Sequence, residues 1–484
     1  MNQTLEAYWP LFPELIVALG AMGLLMLGVV RPERDRDAEA IGWLAIAVLV
    51  AAGWLLLFQP AGSHTLFDGA FVVDGFARFM KVLTLVASAA ALILSFDDLR
   101  RTSSLRFEYP VLVLLATAGM LMMISASDLI SLYVGLELQS LSLYVIAAFQ
   151  RDSVRSTEAG LKYFVLGGFS SAFFIYGIAL TYAVAGTTKI DEMVTLVASQ
   201  AREPNILLVL AMIMLIVGFA FKVSAVPFHM WAPDAYQGAP TLVTGFMSTA
   251  VKAAAFAAFA RVFLSALEPL RGHWVPILSA IAGLTMILGT VVGVAQSNVK
   301  RMLAYSSIAH AGYLLVGLVA ANAAGKTAIL FYVVAYAVTN LGAFGVLAAL
   351  STHDRPHDDV RDFAGLGRER PGLSAVLTVF LLSLGGFPPT IGFVAKWAIF
   401  SSAVQANQIA LAVLGVLTSV VSVFFYLRIV VMMYMAPERA PNHRPSVPKV
   451  ALAGLLLALA AVFYFGLMPG SLLKMAADSA AGIH

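Results

Sequence analysis

Apolar runs of about 20 residues, separated by short polar stretches, recur along the whole chain. A helix of that length is about 30 Å long, enough to cross the hydrocarbon core of a bilayer. Fourteen spans are predicted, near residues 11–30, 41–59, 71–96, 109–126, 128–149, 160–186, 205–224, 241–265, 274–295, 303–321, 327–350, 373–402, 408–434 and 448–468. No long polar segment intervenes. Residues 1–484 therefore read as a single transmembrane domain with no room for a soluble cofactor-binding module. The expected fold is an all-α polytopic membrane protein of about 14 transmembrane helices.

Composition narrows this. The chain is 60% apolar and 12% charged, and its net charge of +3 is too small to suggest a nucleic-acid partner. With no cysteine, it has no thiolate to ligate a metal or an iron–sulfur cluster. The first apolar run is not preceded by Lys or Arg, so it reads as a retained helix rather than a cleaved signal. Basic residues concentrate in or beside the odd-numbered loops: Arg31, Arg34, Arg36, Arg100, Arg101, Arg106, Arg151, Arg155, Lys162, Lys300, Arg301, Arg355, Arg361, Arg368, Arg370, Arg439, Arg444 and Lys449. The even-numbered loops hold only Lys189, Arg202, Arg271 and Lys326. The positive-inside rule then places the odd loops in the cytoplasm and both termini on the outer, periplasmic side of a bacterial cytoplasmic membrane.

Spans four to eight (109–265) and nine to thirteen (274–434) form two groups of five, and an odd number of spans inserts the second group upside down. The fourth member of each carries a proline interruption, Pro227 after Lys222 and Pro388-Pro389 before Lys396. Paired broken helices at matching places predict two inverted five-helix repeats with a site near the midplane.

Four ionisable residues stand inside these spans: Glu137, Lys222, Lys252 and Lys396. Each costs about 3 kcal/mol to bury at mid-membrane on insertion scales, which points to a proton or ion pathway. Lys222 lies five residues before Pro227. A helix broken there frees backbone groups that protein or water must satisfy, so the lysine can load and unload a proton; snorkelling to an interface is the alternative. Lys252 is too deep for easy snorkelling and has small neighbours that permit close packing, although pairing with a backbone carbonyl would also hold it. Glu137 can hold a nearby lysine charged and release it on moving away, or it can be a fixed staple between helices. Lys396 mirrors Lys222, with Trp397 beside it as the sign of a rival interfacial position. His310, among Tyr305, Ser306, Ser307 and Tyr313, suits proton shuttling or a bonded core position. His229 and Asp234 are expected to order the loop after span seven, and Asp74 and Arg78 to form a local ion pair. The sequence contains no phosphate-cradling glycine loop, metal-ligand cluster or nucleophile–base set that we identify.

Four stretches, GLELQSLSLYVI, FKVSAVPFHMWAPDAYQGAPT, KRMLAYSSIAHAGY and SLGGFPPTIGFVAKW, resemble the antiporter-like membrane subunits of respiratory NADH:quinone oxidoreductase (complex I). Within that family the chain is most similar to the subunit N branch. The related subunit M places a glutamate where Lys396 stands, and the YQGAP run also favours the N branch. The resemblance implies that Glu137 and Lys222 form a charge pair in one half-channel, that Lys252 is a central relay and that Lys396 is the terminal donor. It implies a proton-translocating subunit that carries no redox centre, with NADH, FMN, iron–sulfur clusters and quinone in partner subunits. Expected partners are neighbouring antiporter-like and small membrane subunits and the lipid. Three rivals are a subunit of a multisubunit sodium/proton antiporter, a solute transporter, for which no substrate pocket is evident, and a purely structural scaffold.

Overall fold

The computed structural model describes residues 8–31, 35–59, 62–200, 204–351, 358–437 and 447–483. Of the basic residues used for orientation, Arg34, Arg202, Arg355, Arg439 and Arg444 lie outside the described residues.

Twelve helices among the described residues are long and apolar enough to cross a bilayer. Before the first interruption the helices are α1 (Phe12–Val30), α2 (Asp35–Leu57), α3 (Gly75–Arg101), α4 (Glu108–Ser125), α5 (Leu129–Ala147), α6 (Val154–Ala185) and the short α7 (Ile190–Ser199). The seventh crossing is broken into α8 (Ile206–Lys222) and α9 (Trp231–Gly238). Then come α10 (Thr241–Ala266), α11 (Arg271–Val294), α12 (Val299–Ala320) and α13 (Ala323–Leu350). The twelfth crossing is broken into α14 (Pro371–Gly385) and α15 (Ile391–Gln405). The chain continues through α16 (Ile409–Met435), α17 (Lys449–Leu467) and a short α18 (Gly470–Ala480). Every expected span thus has its helix, and both expected breaks are present.

Several helix starts are set by side chains that accept the unpaired N–H groups of a first turn. Asp128 caps α5 through Ile130 N and Ser131 N, both at 2.9 Å, and Asn298 caps α12 through Arg301 N at 2.9 Å. Asp74 caps α3, accepting from Ala77 N at 2.7 Å. The predicted third span therefore begins too early: Phe71–Val73 is a β-strand, paired antiparallel with His64–Leu66. Hydropathy alone does not separate that short apolar strand from the helix behind it.

The helices differ in how far they are covered. α10, α12 and α13 are almost completely enclosed, whereas α17 is largely uncovered. The centre of the protein is thus built from the spans that carry Lys252 and His310.

Close approach of α4 to α5 positions the Glu137 helix. A Cβ on Gly119 would lie 2.5 Å from Gln139 N and 2.6 Å from Gly135 O. Both neighbours are backbone and have nowhere to go. Gly119→Ala is expected to cost about 1–3 kcal/mol by overpacking and to lower the amount of assembled protein on native gels. Gly23→Ala, with nothing within 4 Å of the added Cβ, should leave it unchanged.

Candidate functional site

Lys222 is the last residue of α8 and is 7% exposed. Its ammonium donates to Ser140 Oγ of α5 at 2.7 Å. The chain then leaves the helix through Ser224, with a positive φ of 62°. Two side chains satisfy the backbone groups that the break frees: Trp231 Nε1 donates to Phe221 O at 3.0 Å, and Val226 N donates to Thr285 Oγ1 at 2.9 Å. This is the internal satisfaction that irregular backbone needs at membrane depth. Glu137 lies one turn before Ser140 on α5 and accepts a hydrogen bond from the Ser171 hydroxyl of α6. Glu137 and Lys222 thus each end on a serine rather than on one another.

Lys252 is 2% exposed and donates to both the carbonyl and the hydroxyl of Ser307, at 2.9 and 2.6 Å. Its helix widens into π-helical turns at Met247–Val251 and Val262–Ala266, so Lys252 opens an α-helical piece between two π segments. Such segments recur at functional positions.

Ser307, His310 and Tyr313 follow at intervals of three along α12 and so share one face of it. His310 shares hydrogen bonds with Tyr332 Oη at Nδ1 (2.7 Å) and with Tyr426 Oη at Nε2 (3.3 Å). Its hydrogen-bond partners come from α13 and α16, not from the hydroxyls beside it in the sequence. Tyr426 in turn meets the Ser306 hydroxyl.

Lys396 lies 5.3 Å from the centre of the Tyr313 ring. Its ammonium donates to Gly385 O at 2.9 Å and to Ser419 Oγ at 2.7 Å. Lys396 is 5% exposed while Trp397 is 68% exposed, so the tryptophan faces outward and the ammonium inward. Lys222 terminates α8, and the Lys396 ammonium reaches back to the last residue of α14. Both cations thus sit at the C-terminal end of a first half-helix, where free carbonyls favour positive charge. Gly386, with φ +86°, makes the turn at that end.

Three buried charges, Glu14, Lys81 and Arg261, were not singled out in the sequence reading. Lys81, fully buried in α3, pairs with Glu14 of α1 at 2.5 Å. Arg261 of α10 makes a bidentate pair with Asp74, at 3.0 and 3.1 Å. The expected Asp74–Arg78 pair is therefore corrected. Asp74 precedes the first turn of α3 as its cap, which turns its carboxylate toward Arg261, the partner whose planar fork it matches. Glu14, Lys81 and Arg261 lie within predicted spans, so the intramembrane-charge criterion that singled out Lys222 applies equally to them. The loop after α8 is ordered by Asp234, which binds Lys162 at 2.8 Å and Arg301 at 2.5 Å. His229 contributes its carbonyl to Ala232 N at 2.9 Å rather than a contact to Asp234. Among the described residues no group of three or more His, Asp or Glu side chains could hold a metal ion.

Comparison with known proteins identifies the family. A family model described as NADH:quinone oxidoreductase/Mrp antiporter, transmembrane, matches residues 126–422, the stretch from α5 into α16. NADH-quinone oxidoreductase subunit N of Parvibaculum lavamentivorans is 46% identical over 442 residues, 91% of each chain. A chain of Thermus thermophilus respiratory complex I, solved with bound aureothin, is 35% identical and superposes with a TM-score of 0.82 over 96% of this chain and 99% of that one. A chain of the Mrp complex from Dietzia sp. DQ12-45-1b superposes at 0.86 over 99% and 98%, with 22% identity, and shares the fold. The matched region covers more than half of the chain and contains Glu137, Lys222, Lys252, His310 and Lys396; the chain belongs to the NADH:quinone oxidoreductase/Mrp antiporter transmembrane family.

Proposed function

We infer that this chain is the N-type proton-translocating membrane subunit of a NADH:quinone oxidoreductase, and that it moves protons along Glu137, Lys222, Lys252, His310 and Lys396. The observation that carries this reading is the choice of partner for each buried cation. Lys222, Lys252 and Lys396 rest on hydroxyls and carbonyls. Lys81 and Arg261 rest on carboxylates. A carboxylate holds its partner's proton in place, whereas neutral acceptors serve both an ammonium and, through their hydroxyls, an amine. The first set is built to exchange a proton and the second to stay charged.

Quinone reduction in partner subunits supplies the driving force, and NADH, FMN, iron–sulfur clusters and quinone belong to those subunits. The signal reaches this chain as a change of field along its charged line. Moving a unit charge against 100 mV costs about 2.3 kcal/mol. Removing a like charge about 7 Å away changes a lysine's energy by a similar amount, about 2.4 kcal/mol at an effective dielectric of 20. The magnitudes match. The chain sits in a bacterial cytoplasmic membrane beside other membrane subunits and lipid, with its odd loops in the cytoplasm and both termini outside. Residues 109–265 and 274–434 are its two inverted repeats; a buried lysine beside the break in the fourth crossing of each supports that pairing.

The test replaces the native chain with a Lys222→Ala variant and measures NADH-driven quinone reduction and proton pumping per assembled complex. Loss of both with normal assembly is expected. Unchanged pumping would reduce Lys222 to a structural lysine, and sodium-dependent exchange without NADH would favour the antiporter reading.

A further inference from the structure

A cavity of about 650 Å³ opens on the face formed by the odd-numbered loops. Asp98, Arg155, Thr241, Lys300 and Asp358 are among its lining residues. Lys300, 6% exposed, anchors its floor by donating to Ala239 O at 2.6 Å. Asp98 is 4% exposed, yet its carboxylate makes no hydrogen bond or ion pair with any described residue. Its neighbour Asp97 is the one that pairs with Arg101, at 3.0 Å. A carboxylate so nearly buried, with no hydrogen-bond partner among the described residues, in a polar cavity, is placed to meet water.

Thr241, the first residue of α10, also lines the cavity. From there Thr244, Ser248 and Lys252 follow at intervals of three, four and four, which places all four residues on one face of the helix. Thr244 and Ser248 are fully buried. Eleven residues of helix rise about 16 Å, so this stripe leads from the cavity to the middle of the membrane. The π segment Met247–Val251 lies at its upper end and contains Ser248. Two buried atoms in the same region, Tyr236 Oη and Asn340 Oδ1, have no hydrogen-bond partner among the described residues, and Asn340 Nδ2 donates to Ser248 Oγ at 2.7 Å. Side chains one turn apart on a helix are about 5–6 Å from each other, a gap that one water bridges.

We propose that Asp98 is the proton-loading group of an inlet that runs from this cavity along Thr241, Thr244 and Ser248 directly to Lys252. This rests on the proton-translocating reading above and refines it. The inlet joins the path at Lys252, as an entry beside the one through Glu137 and Lys222. In one transfer, the Asp98 carboxyl gives its proton to the chain of hydroxyls and water. Each member accepts one proton and passes one on, and the Lys252 amine becomes an ammonium. Asp98 is left as a carboxylate, to be reloaded from the cavity. The charged groups around it are Arg101 and Asp97 on its own helix, Lys300 at the start of α12, and Asp358 from the segment before Val360.

The test uses inverted membrane vesicles containing the whole complex, in which the odd-loop face is exposed to the medium. Asp98→Asn should slow NADH-driven quinone reduction severalfold at alkaline pH, where protons are scarce, and progressively less as the medium is acidified. Formate, a weak acid small enough for the cavity, should restore the rate, and Asp98→Glu should remain near the native profile. A purely structural carboxylate would give the same loss at every pH and no response to formate. The chain has no cysteine, so a Thr102→Cys variant supplies its single thiol in the cavity wall, and vesicles carrying the native chain, treated alike, account for thiols of the partner subunits. Modification by a membrane-impermeant cationic thiol reagent should then slow turnover, and this second measurement decides the matter if Asp98→Asn fails to assemble. Full modification without slowing, or a native pH profile for Asp98→Asn while Lys252→Ala is inactive, would overturn the inlet and leave the function standing. Normal pumping in both Asp98→Asn and Lys252→Ala would overturn the function as well.

Discussion

Lys252→Ala is expected to abolish NADH-driven proton pumping, with a loss of more than about tenfold per assembled complex, in line with removal of a proton-transferring group. Lys252→Arg should be equally inactive. That second variant separates two roles for the same side chain. Ser307 offers Lys252 a carbonyl and a hydroxyl, and a guanidinium can donate to both. If Lys252 were only a staple between α10 and α12, arginine would keep the charge and the hydrogen bonds and retain activity. Arginine does not release its proton in a protein, so a relay through it stops. The measurement is the pumping rate and quinone-reduction rate of both variants, normalised to the complex on native gels. An active Lys252→Arg complex would remove Lys252 from the relay.

Arg261→Ala is expected to prevent assembly rather than to uncouple it. The substitution leaves the buried Asp74 carboxylate without its bidentate partner, at a cost of about 3–5 kcal/mol. Replacing both residues with apolar side chains, Asp74→Leu with Arg261→Met, should recover most of the assembled complex, because the cost comes from the uncompensated charge and not from the lost attraction. The recovered double variant should also pump at close to the native rate per complex. Assembly is read from complex yield, and function from pumping in the same membranes. A double variant that assembles but does not pump would move Asp74 and Arg261 from the scaffold into the relay.

Much of the fold was legible in the hydropathy pattern. Each predicted span has its helix, because membrane crossing demands apolar length and the sequence displays length directly. The breaks at Pro227 and Pro388-Pro389 were legible for a related reason: proline removes a backbone donor wherever it stands. The hairpin at His64–Val73 was not, since three apolar residues carry no periodicity that separates a strand from the head of a helix.

The candidate site was legible as a list of residues but not as an arrangement. Lys222, Lys252 and Lys396 declared themselves because a charge in an apolar run is costly wherever it points. Their partners did not, since a hydrogen bond spans a few ångströms in space and Ser140, Ser307 and Ser419 lie 82, 55 and 23 residues away along the chain. Asp74 shows the same limit from the other side: Arg78 is its neighbour in sequence and Arg261 its partner in space.

By itself the sequence determined that the chain is a many-spanned helical membrane protein with charged residues deep in its spans, since hydrophobic length and intramembrane charge are local, additive properties of the residues. Only the tertiary structure decided which of those charges rest on neutral acceptors and which on carboxylates, that Glu137 and Lys222 do not touch directly, and that Asp98 lines a cavity without a hydrogen bond or ion pair to any described residue. Those distinctions depend on what other helices bring within hydrogen-bonding distance, and helix packing is what sets that distance.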